Sequence, residues 1–320
     1  MTPTAPRIDI VICTRDRLAL LRETVAAVLL AVGPREDVRL LILDNGSSDG
    51  TSDYLFQLGT EEHRTVTASV PSRGLYNART VAIEMSDADV LVFCDDDIHP
   101  RPGFLDHLET VFRDPSIGVL GAAIEGPRLV PLPDWFTPRF QCYIPILPVP
   151  GDRQECRYPC YPPGAFLAVR RTPFLDFYLA DERRAVDLGY GGVSGLGGED
   201  TDLCEIFARA GYRVVRDAGL TVTHHFDPAR LTEDWIVDRF FREGRLRVLL
   251  ARLRTGSAQE RSTLLMLVAW PALKLLVGIG PLLGRSNAVF LRAYLRKADG
   301  AWWELLRGHR HGRLPYPEQV

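Results

Sequence analysis

The first half of the chain predicts an α/β fold with a mostly parallel central sheet flanked by helices. Short apolar runs recur along it, and stretches with helical spacing lie between them. A strand–helix–strand rhythm of this kind sets parallel strands side by side, with helices over both faces of the sheet. With 320 residues, of which 46% are hydrophobic, the chain can bury such a core.

The elements of this half follow from the apolar pattern. The predicted strands are Ile8–Cys13, Val38–Leu43, Thr65–Val70, Val90–Cys94 and Ile117–Ala122. The predicted helices between them are Leu18–Val32, Leu75–Met85 and Phe104–Phe112. Ligands bind at the carboxyl ends of the strands in such sheets, so the polar residues that end these runs are the candidates for function.

A proline-rich stretch, Pro127–Pro163, interrupts the pattern with ten prolines. Proline removes a backbone donor and restricts its neighbours, so this stretch is predicted to be an irregular loop rather than part of a sheet. Its aromatic residues favour a packed lid or an acceptor wall. They are Trp135, Phe136, Phe140, Tyr143, Tyr158 and Tyr161.

Regular structure is predicted to resume after this loop. Ala165–Val169 is a strand, and Glu199–Ala210 is a helix that ends at Gly211. Two short strands, Arg213–Val215 and Leu220–Thr223, come next, and a longer helix covers about 231–253.

The C-terminal part is basic and apolar. Residues 240–314 hold 14 Lys and Arg against 4 Asp and Glu, although the whole chain has a net charge of −3. This excess indicates either an anionic partner or a solvated basic helix face. Ser262–Leu283 is nearly long enough to span a bilayer, but it contains Lys274 and Pro271. A transmembrane helix, an interfacial or re-entrant segment, and a packed helix pair all remain open.

Arg285–Arg313 adds Trp302 and Trp303 to the basic residues, which suits a membrane interface. Peripheral membrane contact through residues 261–313 is therefore the expectation. Nucleic acid is a poorer partner, because the arginines alternate with a long apolar run rather than with a groove-reading polar pattern.

Cysteine usage and the N-terminus indicate a reducing compartment. The six cysteines include Cys13 and Cys94 inside predicted buried strands, where thiols act as small hydrophobes. Cys156 and Cys160 lack a second ligand pair at the spacing of a zinc site. Without a signal-like apolar segment in MTPTAPRIDIVIC, a cytoplasmic protein is expected, with the inner face of the cell membrane as its possible site.

Three consecutive acids, Asp95, Asp96 and Asp97, follow the strand that ends at Cys94. Like charges repel one another, and hard oxygen ligands suit Mg²⁺ or Mn²⁺, so a divalent cation would resolve the conflict. A polar loop that caps the next helix is the alternative explanation.

Two further acidic segments stand at predicted strand or helix ends. Glu199 and Asp200 follow two glycines and open a helix, where acids are also ordinary caps. Asp44 begins the turn Asp44-Asn45-Gly46-Ser47-Ser48-Asp49-Gly50, which taken alone is only a well-formed turn.

Together these segments resemble family 2 of inverting glycosyltransferases, which has the GT-A fold. The resemblance lies in six segments, in order along about residues 8–225. They are Val11 to Arg17, Asp44, Ser72-Arg73-Gly74 through Asn77-Ala78-Arg79, Asp95-Asp96-Asp97, Gly164-Ala165-Phe166 through Arg170-Arg171, and Gly198-Glu199-Asp200. The pair Arg15-Asp16 departs from the family's more usual Tyr-Asn.

The resemblance implies a role for each matching residue. Asp200, with Glu199 beside it, matches the motif whose Asp is the catalytic base. A Mg²⁺ or Mn²⁺ ion would be held by Asp97, Asp95 and a histidine. His224 is a better match for that histidine than His225. A histidine satisfied in the core is the alternative for His224. The implied donor-binding residues are Thr14, Arg15, Asp16, Asp44, Arg79, Asp95 and Asp96.

The implied reaction moves a sugar from a nucleotide-diphosphate-sugar to an acceptor hydroxyl with inversion. The acceptor is a glycan, a lipid-linked molecule or a small molecule. Residues 1–230 would form the catalytic domain, with a donor half at about 1–125 and an acceptor half at about 126–230. Residues 231–320 would form a helical extension. A sugar-phosphate nucleotidyltransferase is disfavoured because Cys13 to Arg17 contains no glycine, and intact acids argue against an inactive scaffold.

Overall fold

The computed structural model describes residues 5–70, 74–126, 131–140, 143, 146–149, 151–158, 160–179, 198–253 and 258–308. Parts of several predicted features lie outside the described residues: Ser72 and Arg73, Gly197, the remainder of the proline-rich stretch, and 309–313 of the basic tail. The division into a donor half, an acceptor half and an extension stays a prediction.

A central sheet organises the described residues, and the predicted α/β class is confirmed. Its strands are β1 (Ile8–Thr14), β2 (Val38–Asp44), β3 (Thr65–Ser69), β4 (Val90–Asp95), β5 (Ile98–Pro100), β6 (Ile117–Glu125), β7 (Arg153–Glu155), β8 (Phe166–Arg170) and β9 (Arg213–His224). They lie in the order β3-β2-β1-β4-β8-β6-β9-β5, and β7 also pairs with β9.

The sheet is parallel in its first half and mixed in its second. β1 pairs in parallel with β2 and β4, and β2 with β3. β8 runs antiparallel between β4 and β6, while β6 and β9 are parallel. The short strands β5 and β7 pair antiparallel with β9. The prediction of a mostly parallel sheet is therefore accurate for the neighbouring strands β3, β2, β1 and β4, and less accurate for the other strands.

Helices flank the sheet, and all but the second agree closely with the apolar periodicity. They are α1 (Leu18–Val32), α2 (Thr51–Glu61), α3 (Leu75–Met85), α4 (Phe104–Phe112) and α5 (Glu199–Arg209). Alternate residues of each strand face opposite sides, so Ile10 and Ile42 join one buried cluster while Val11 and Leu41 join another. Burial on both faces explains why these strands are continuous apolar runs.

Two predictions for local structure were wrong, and two elements were missed. The proline-rich stretch contains strand β7, which adds to the sheet through β9. The two strands predicted after Gly211 form the single strand β9, with an irregular register beside Ala122 and Ala123. Helix α2 and strand β5 were not predicted, because α2 has few apolar positions and β5 has three residues.

Three C-terminal helices pack beside the sheet: α6 (Glu233–Leu253), α7 (Ala258–Ile279, continued by a 3₁₀ turn at Gly280–Leu283) and α8 (Arg285–Gly308). Four aromatic residues of the proline-rich stretch, Trp135, Phe136, Phe140 and Tyr143, pack against α6 and α8. Their shared buried cluster contains Trp135, Phe140, Phe226, Leu231, Ile236, Phe240, Val289 and Ala293.

Two glycines let α6 and α8 cross in backbone contact. A Cβ at Gly300 would lie 2.0 Å from the Phe241 carbonyl oxygen, and one at Gly244 would lie 1.8 Å from that of Lys297. Because backbone atoms cannot move away as a flexible side chain can, only glycine fits at these two positions.

Replacing Gly300 by alanine is expected to destabilise the protein by about 3 kcal/mol, since the overlap outweighs the better helix propensity of alanine. Thermal unfolding measures the effect. Gly278→Ala is the matched control, because that α7 position has no atom within 4 Å of an added Cβ. It should leave stability unchanged or raise it by up to about 1 kcal/mol. Equal melting temperatures for Gly300→Ala and the parent would contradict the close crossing.

Candidate active site

The carboxyl ends of three neighbouring strands meet at one edge of the sheet. Thr14 at the end of β1 pairs in register with Asp44 of β2, and Cys13 pairs with Asp95 of β4. The polar residues that follow these strands are therefore neighbours in space although they are far apart in sequence. This is the edge at which the sequence predicted a site.

Asp96 and Asp97 are buried and share one arginine. Arg17, just before α1, forms ion pairs with both carboxylates. Its Nη2 lies 2.7 Å from Oδ2 of Asp97. The Thr14 hydroxyl donates to Asp96 Oδ2 at 2.7 Å. Burial raises the pKa of Asp97, but His224 and Arg17 outweigh it and hold that pKa well below its usual range. Asp97 is therefore an anion at neutral pH.

His224 lies at the end of β9, directly against Asp97. Its Nε2 is 3.1 Å from Asp97 Oδ1, and His225 N donates to the Asp97 carbonyl at 2.8 Å. The side chains of Asp97 and His224 are each 2% exposed. Asp97 Oδ1 and His224 Nε2 nevertheless make no aligned hydrogen bond, with each other or with another group. Two buried polar atoms thus face each other without a partner of suitable geometry.

Asp95 connects the acidic segment to the other predicted acids. Its pKa is raised well above the ordinary value, first by burial and then by Asp97, while Arg79 opposes the rise and Glu199 contributes to it. Asp95 N donates to the Ala165 carbonyl at 2.9 Å, and Gly164 N donates to Asp200 Oδ2 at 2.9 Å. The segment Gly164–Ala165 therefore bridges Asp95 and Asp200.

Glu199 and Asp200 form the first turn of α5. The helix starts after Gly198, whose φ is +98°, and a Cβ there would lie 2.1 Å from Leu246 Cδ2 of α6. Asp200 Oδ1 also accepts from Thr201 N at 2.7 Å, so each oxygen of Asp200 binds one backbone N–H. A carboxylate oxygen can accept more than one hydrogen bond, so Asp200 retains acceptor capacity.

Two arginines, Arg79 and Arg239, partly offset the effect of burial on the pKa of Glu199. Burial raises the pKa of Glu199, while Arg79 and, more weakly, Arg239 oppose the rise. Arg79 is buried, lies 4.8 Å from the Phe93 ring centroid, and reaches within 3.4 Å of a Cβ built at Gly164. The guanidinium of Arg79 thus lies close to the Gly164–Asp200 contact.

The remaining predicted donor residues are bound within the turns beside this edge. Asp44 Oδ1 accepts from Ser47 N at 2.9 Å, and its Oδ2 from the Ser52 hydroxyl at 2.5 Å. Asp16 has a left-handed φ of +51° and accepts from Ser48 N at 2.7 Å. Arg15 Nε lies 3.4 Å from Asp16 Oδ2. These side chains hold the turns after β1 and β2 together.

Sequence reasoning missed the roles of Arg17 and Arg239. Arg17 was noted only as part of a motif, yet it neutralises two of the three consecutive acids. Its position directly before α1, at the end of a strand that adjoins β4, was the available signal. Arg239 belongs to α6, far along the chain, and no pattern linked it to Glu199.

The model for glycosyl transferase family 2 matches residues 9–174 of the chain. The chain belongs to glycosyl transferase family 2. This membership confirms the family that the motifs predicted and, with it, the enzyme class.

Named relatives agree with this assignment. Over 302 residues the chain is 26% identical to the pre-mycofactocin glycosyltransferase of Mycobacterium tuberculosis, covering 92% of this chain and 58% of that protein. It thus spans little more than half of that relative's length. It is also 22% identical over 264 residues to the glucosyl-dolichyl phosphate glucuronosyltransferase of Haloferax volcanii, covering 81% and 82% of the two chains.

A solved structure supports the fold. A mannosyltransferase from Pyrobaculum calidifontis, in complex with GDP-Man and Mn²⁺, superposes with a TM-score of 0.55 at 15% identity. The superposition covers 97% of this chain and 77% of that one. The GT-A fold implied by the sequence is therefore confirmed.

Proposed function

We propose that this family 2 glycosyltransferase moves a sugar from a nucleotide-diphosphate donor to an acceptor hydroxyl, with inversion at the anomeric carbon. One observation carries the proposal: the acidic segment Asp95–Asp97 and the acid Asp200 lie at one edge of the sheet, bridged by Gly164–Ala165. A single site can therefore hold a charged donor and deprotonate an acceptor beside it.

Asp200 is the proposed general base. A neutral hydroxyl attacks poorly, so a carboxylate that takes its proton as the new bond forms lowers the barrier. Two backbone N–H groups fix the orientation of Asp200 and leave further lone pairs for the acceptor hydroxyl. The attack is a direct displacement without a covalent sugar–enzyme intermediate, which is why the configuration inverts. Glu199, with its raised pKa, is proposed to assist beside it.

The donor is proposed to lie over the ends of β1, β2 and β4. Asp44 and the turn at Thr14, Arg15 and Asp16 would bind the nucleoside, and Asp95 and Asp96 the ribose or sugar. The positively charged Arg79 would screen diphosphate charge, because a buried guanidinium attracts anions strongly.

The residues present fit a divalent cation. Asp97 Oδ1 and His224 Nε2 are buried, adjacent and without an aligned hydrogen bond, which suits two atoms that share a metal. Asp95, whose pKa is raised by burial and by Asp97, would also be stabilised as an anion by a cation nearby. Within the described residues, no group of three His, Cys, Asp or Glu side chains is arranged around one metal position.

The donor diphosphate and water would therefore complete the coordination, as is usual for Mg²⁺. When bound, Mg²⁺ or Mn²⁺ would stabilise the charge that develops on the departing nucleoside diphosphate. Asp97 is the best placed of the three acids to hold it, because His224 lies against one of its oxygens.

The acceptor is proposed to be a glycan, a lipid-linked molecule or a small molecule, with preference for a lipid-linked or envelope glycan. The Haloferax relative is named for a dolichyl phosphate-linked sugar, which supports that preference. We further propose that the protein acts in the cytoplasm, at the inner face of the cell membrane, and does not bind nucleic acid.

A thermal-shift screen of nucleotide-sugars tests the proposal. A ligand that binds only the folded state raises the melting temperature, by an amount set by its concentration relative to its Kd. We expect one donor to raise it with Mn²⁺ and to lose most of that effect in excess chelator. The same donor should release its nucleoside diphosphate in the presence of acceptor. Full activity in excess chelator would contradict the cation, and no response to any donor would contradict the transfer activity.

A further inference from the structure

Helix α7 and the 3₁₀ turn after it present a long exposed apolar face. Its large side chains recur every three to four residues, so they lie on one side of the helix. They are Leu264, Leu265, Val268, Leu275, Leu276, Ile279, Leu282 and Leu283, each between 42% and 85% exposed. At 1.5 Å of rise per residue the face extends for about 28 Å. Contiguous exposed apolar surface of this size marks a binding surface.

The opposite side of α7 is packed within the protein. Met266, Leu267 and Leu273 share a buried cluster with Val248 of α6 and with Ala298 and Ala301 of α8. Trp270 Nε1 also donates to Asp299 of α8 at 2.9 Å. Only one side of α7 is therefore available to a partner.

This packing argues against a helix that crosses the membrane. The segment Thr263–Leu283 has a mean hydropathy of 1.8 and is long enough to cross, judged by length and composition. Its neighbour α8, however, carries the charged residues Arg292, Arg296, Lys297, Asp299 and Glu304 along its length. Charged side chains are costly in the hydrocarbon layer, so α8 cannot accompany α7 across it.

The charges near the face suit a lipid surface. Lys274 is the one charged residue in Thr263–Leu283, and its Nζ lies 3.6 Å from the Trp270 ring centroid. Arg285 follows the face directly along the chain and is 65% exposed, although it also forms an ion pair with Glu233 at 3.0 Å. Lysine and arginine beside aromatic rings and leucines are typical of a helix that lies in a membrane interface. The basic excess of residues 240–314 adds attraction to anionic lipids.

We propose that the α7 face, defined by the eight side chains above, inserts in the plane of a phospholipid membrane that contains anionic lipid. The helix lies on the membrane rather than spanning it, and α6 and α8 hold the rest of the protein above the lipid. A second copy of the chain is the competing occupant, and the sedimentation experiment below separates it from lipid. The proposal does not depend on the transfer activity.

Vesicle flotation tests the proposal with the full chain. We expect the parent to bind vesicles of phosphatidylcholine with phosphatidylglycerol, and less well those of phosphatidylcholine alone. Val268→Glu and Leu275→Glu, at positions 80% and 79% exposed, should each lower the partition coefficient roughly tenfold or more. Leu30→Glu is the matched control, since Leu30 is 79% exposed on α1 and should have no effect. The proposal would be overturned if the parent bound neither kind of vesicle, or if Leu30→Glu lowered vesicle binding as much as the α7 substitutions do.

Depth measurements separate insertion in the plane from a span. An environment-sensitive dye is attached to cysteine at position 268, 275 or 282 in a background without other reactive thiols. Quenchers at known depths in the lipid should report the same shallow depth for all three positions. A deep position 275 with a shallower position 282 would indicate a spanning helix instead. Sedimentation of the lipid-free protein should show a monomer, and a dimer that Val268→Glu dissociates would assign the face to a second copy.

Discussion

Asp200→Asn is expected to lower the rate of sugar transfer about a thousandfold or more, because a general base contributes about 10²–10⁴. The amide cannot take the proton of the acceptor hydroxyl, whereas the proposed donor site at Asp95 to Asp97 is untouched. Donor binding, measured by thermal shift with Mn²⁺, should therefore remain close to that of the parent. The expected signature is a fall in kcat with little change in donor affinity.

A structural effect of this change must be separated from a chemical one. The Asp200 oxygens accept from Gly164 N and Thr201 N, and an asparagine would leave one of these donors facing an NH₂ group. We expect a stability cost of about 1–2 kcal/mol from that contact. Asp114→Asn is the matched control. Asp114 also accepts from a backbone N–H, that of Ser116 at 2.9 Å, but before β6 at the opposite edge of the sheet.

Asp114→Asn should lower the melting temperature by a similar amount and leave transfer intact. Equal transfer rates in Asp200→Asn and the parent would remove Asp200 from the mechanism. An equal loss of transfer in both variants would assign the effect of Asp200→Asn to stability.

The sequence predicted correctly which acids stand at the carboxyl ends of neighbouring strands, because that placement depends on local order. In a parallel sheet, acids that directly follow strands reach one edge whatever the details of packing. Asp44 and Asp95 therefore needed only the positions of β2 and β4, which continuous apolar runs reveal. The boundaries of α1, α3 and α4 followed from apolar periodicity in the same way.

Contacts between distant segments could not be predicted. Arg17 and Asp97 are 80 residues apart, and no spacing rule connects them. The contact of Leu246 with Gly198 depends on how α6 packs, which the sequence does not specify. The apolar segment at α7 was ambiguous for the same reason. Its composition suits a buried helix, a span or an interface. The exposed fractions of its side chains exclude a fully buried helix, and the charged residues of the neighbouring α8 argue against a span.

The consequence of the Arg17–Asp97–His224 contacts is that Asp97 does more than contribute charge. Its two oxygens have different neighbours: Oδ2 lies 2.7 Å from Arg17, and Oδ1 lies 3.1 Å from His224 Nε2. The first contact fixes the carboxylate, and the second turns its remaining oxygen towards the proposed cation position. Removing the charge at Asp97 should therefore lower the affinity for the cation, rather than the stability of the folded protein.

Asp97→Asn is expected to raise the Mn²⁺ concentration for half-maximal transfer by roughly a hundredfold, since direct and supporting metal contacts typically contribute 10–100-fold in affinity. Transfer at limiting Mn²⁺ should fall by the same factor and recover in part at high Mn²⁺. A purely structural role would lower activity without changing the Mn²⁺ requirement. The amide keeps the size of the carboxylate and can still accept a hydrogen bond from Arg17, so the variant should fold.

Comparison with Asp200→Asn separates loss of the cation from loss of the general base. High Mn²⁺ cannot restore a missing base, so transfer by Asp200→Asn should stay low at every Mn²⁺ concentration. The thermal shift caused by Mn²⁺ with nucleoside diphosphate should be lost in Asp97→Asn and kept in Asp200→Asn. A parental Mn²⁺ requirement in Asp97→Asn would exclude Asp97 as a metal ligand, because a neutral amide cannot replace an anionic carboxylate at a hard cation without loss of affinity.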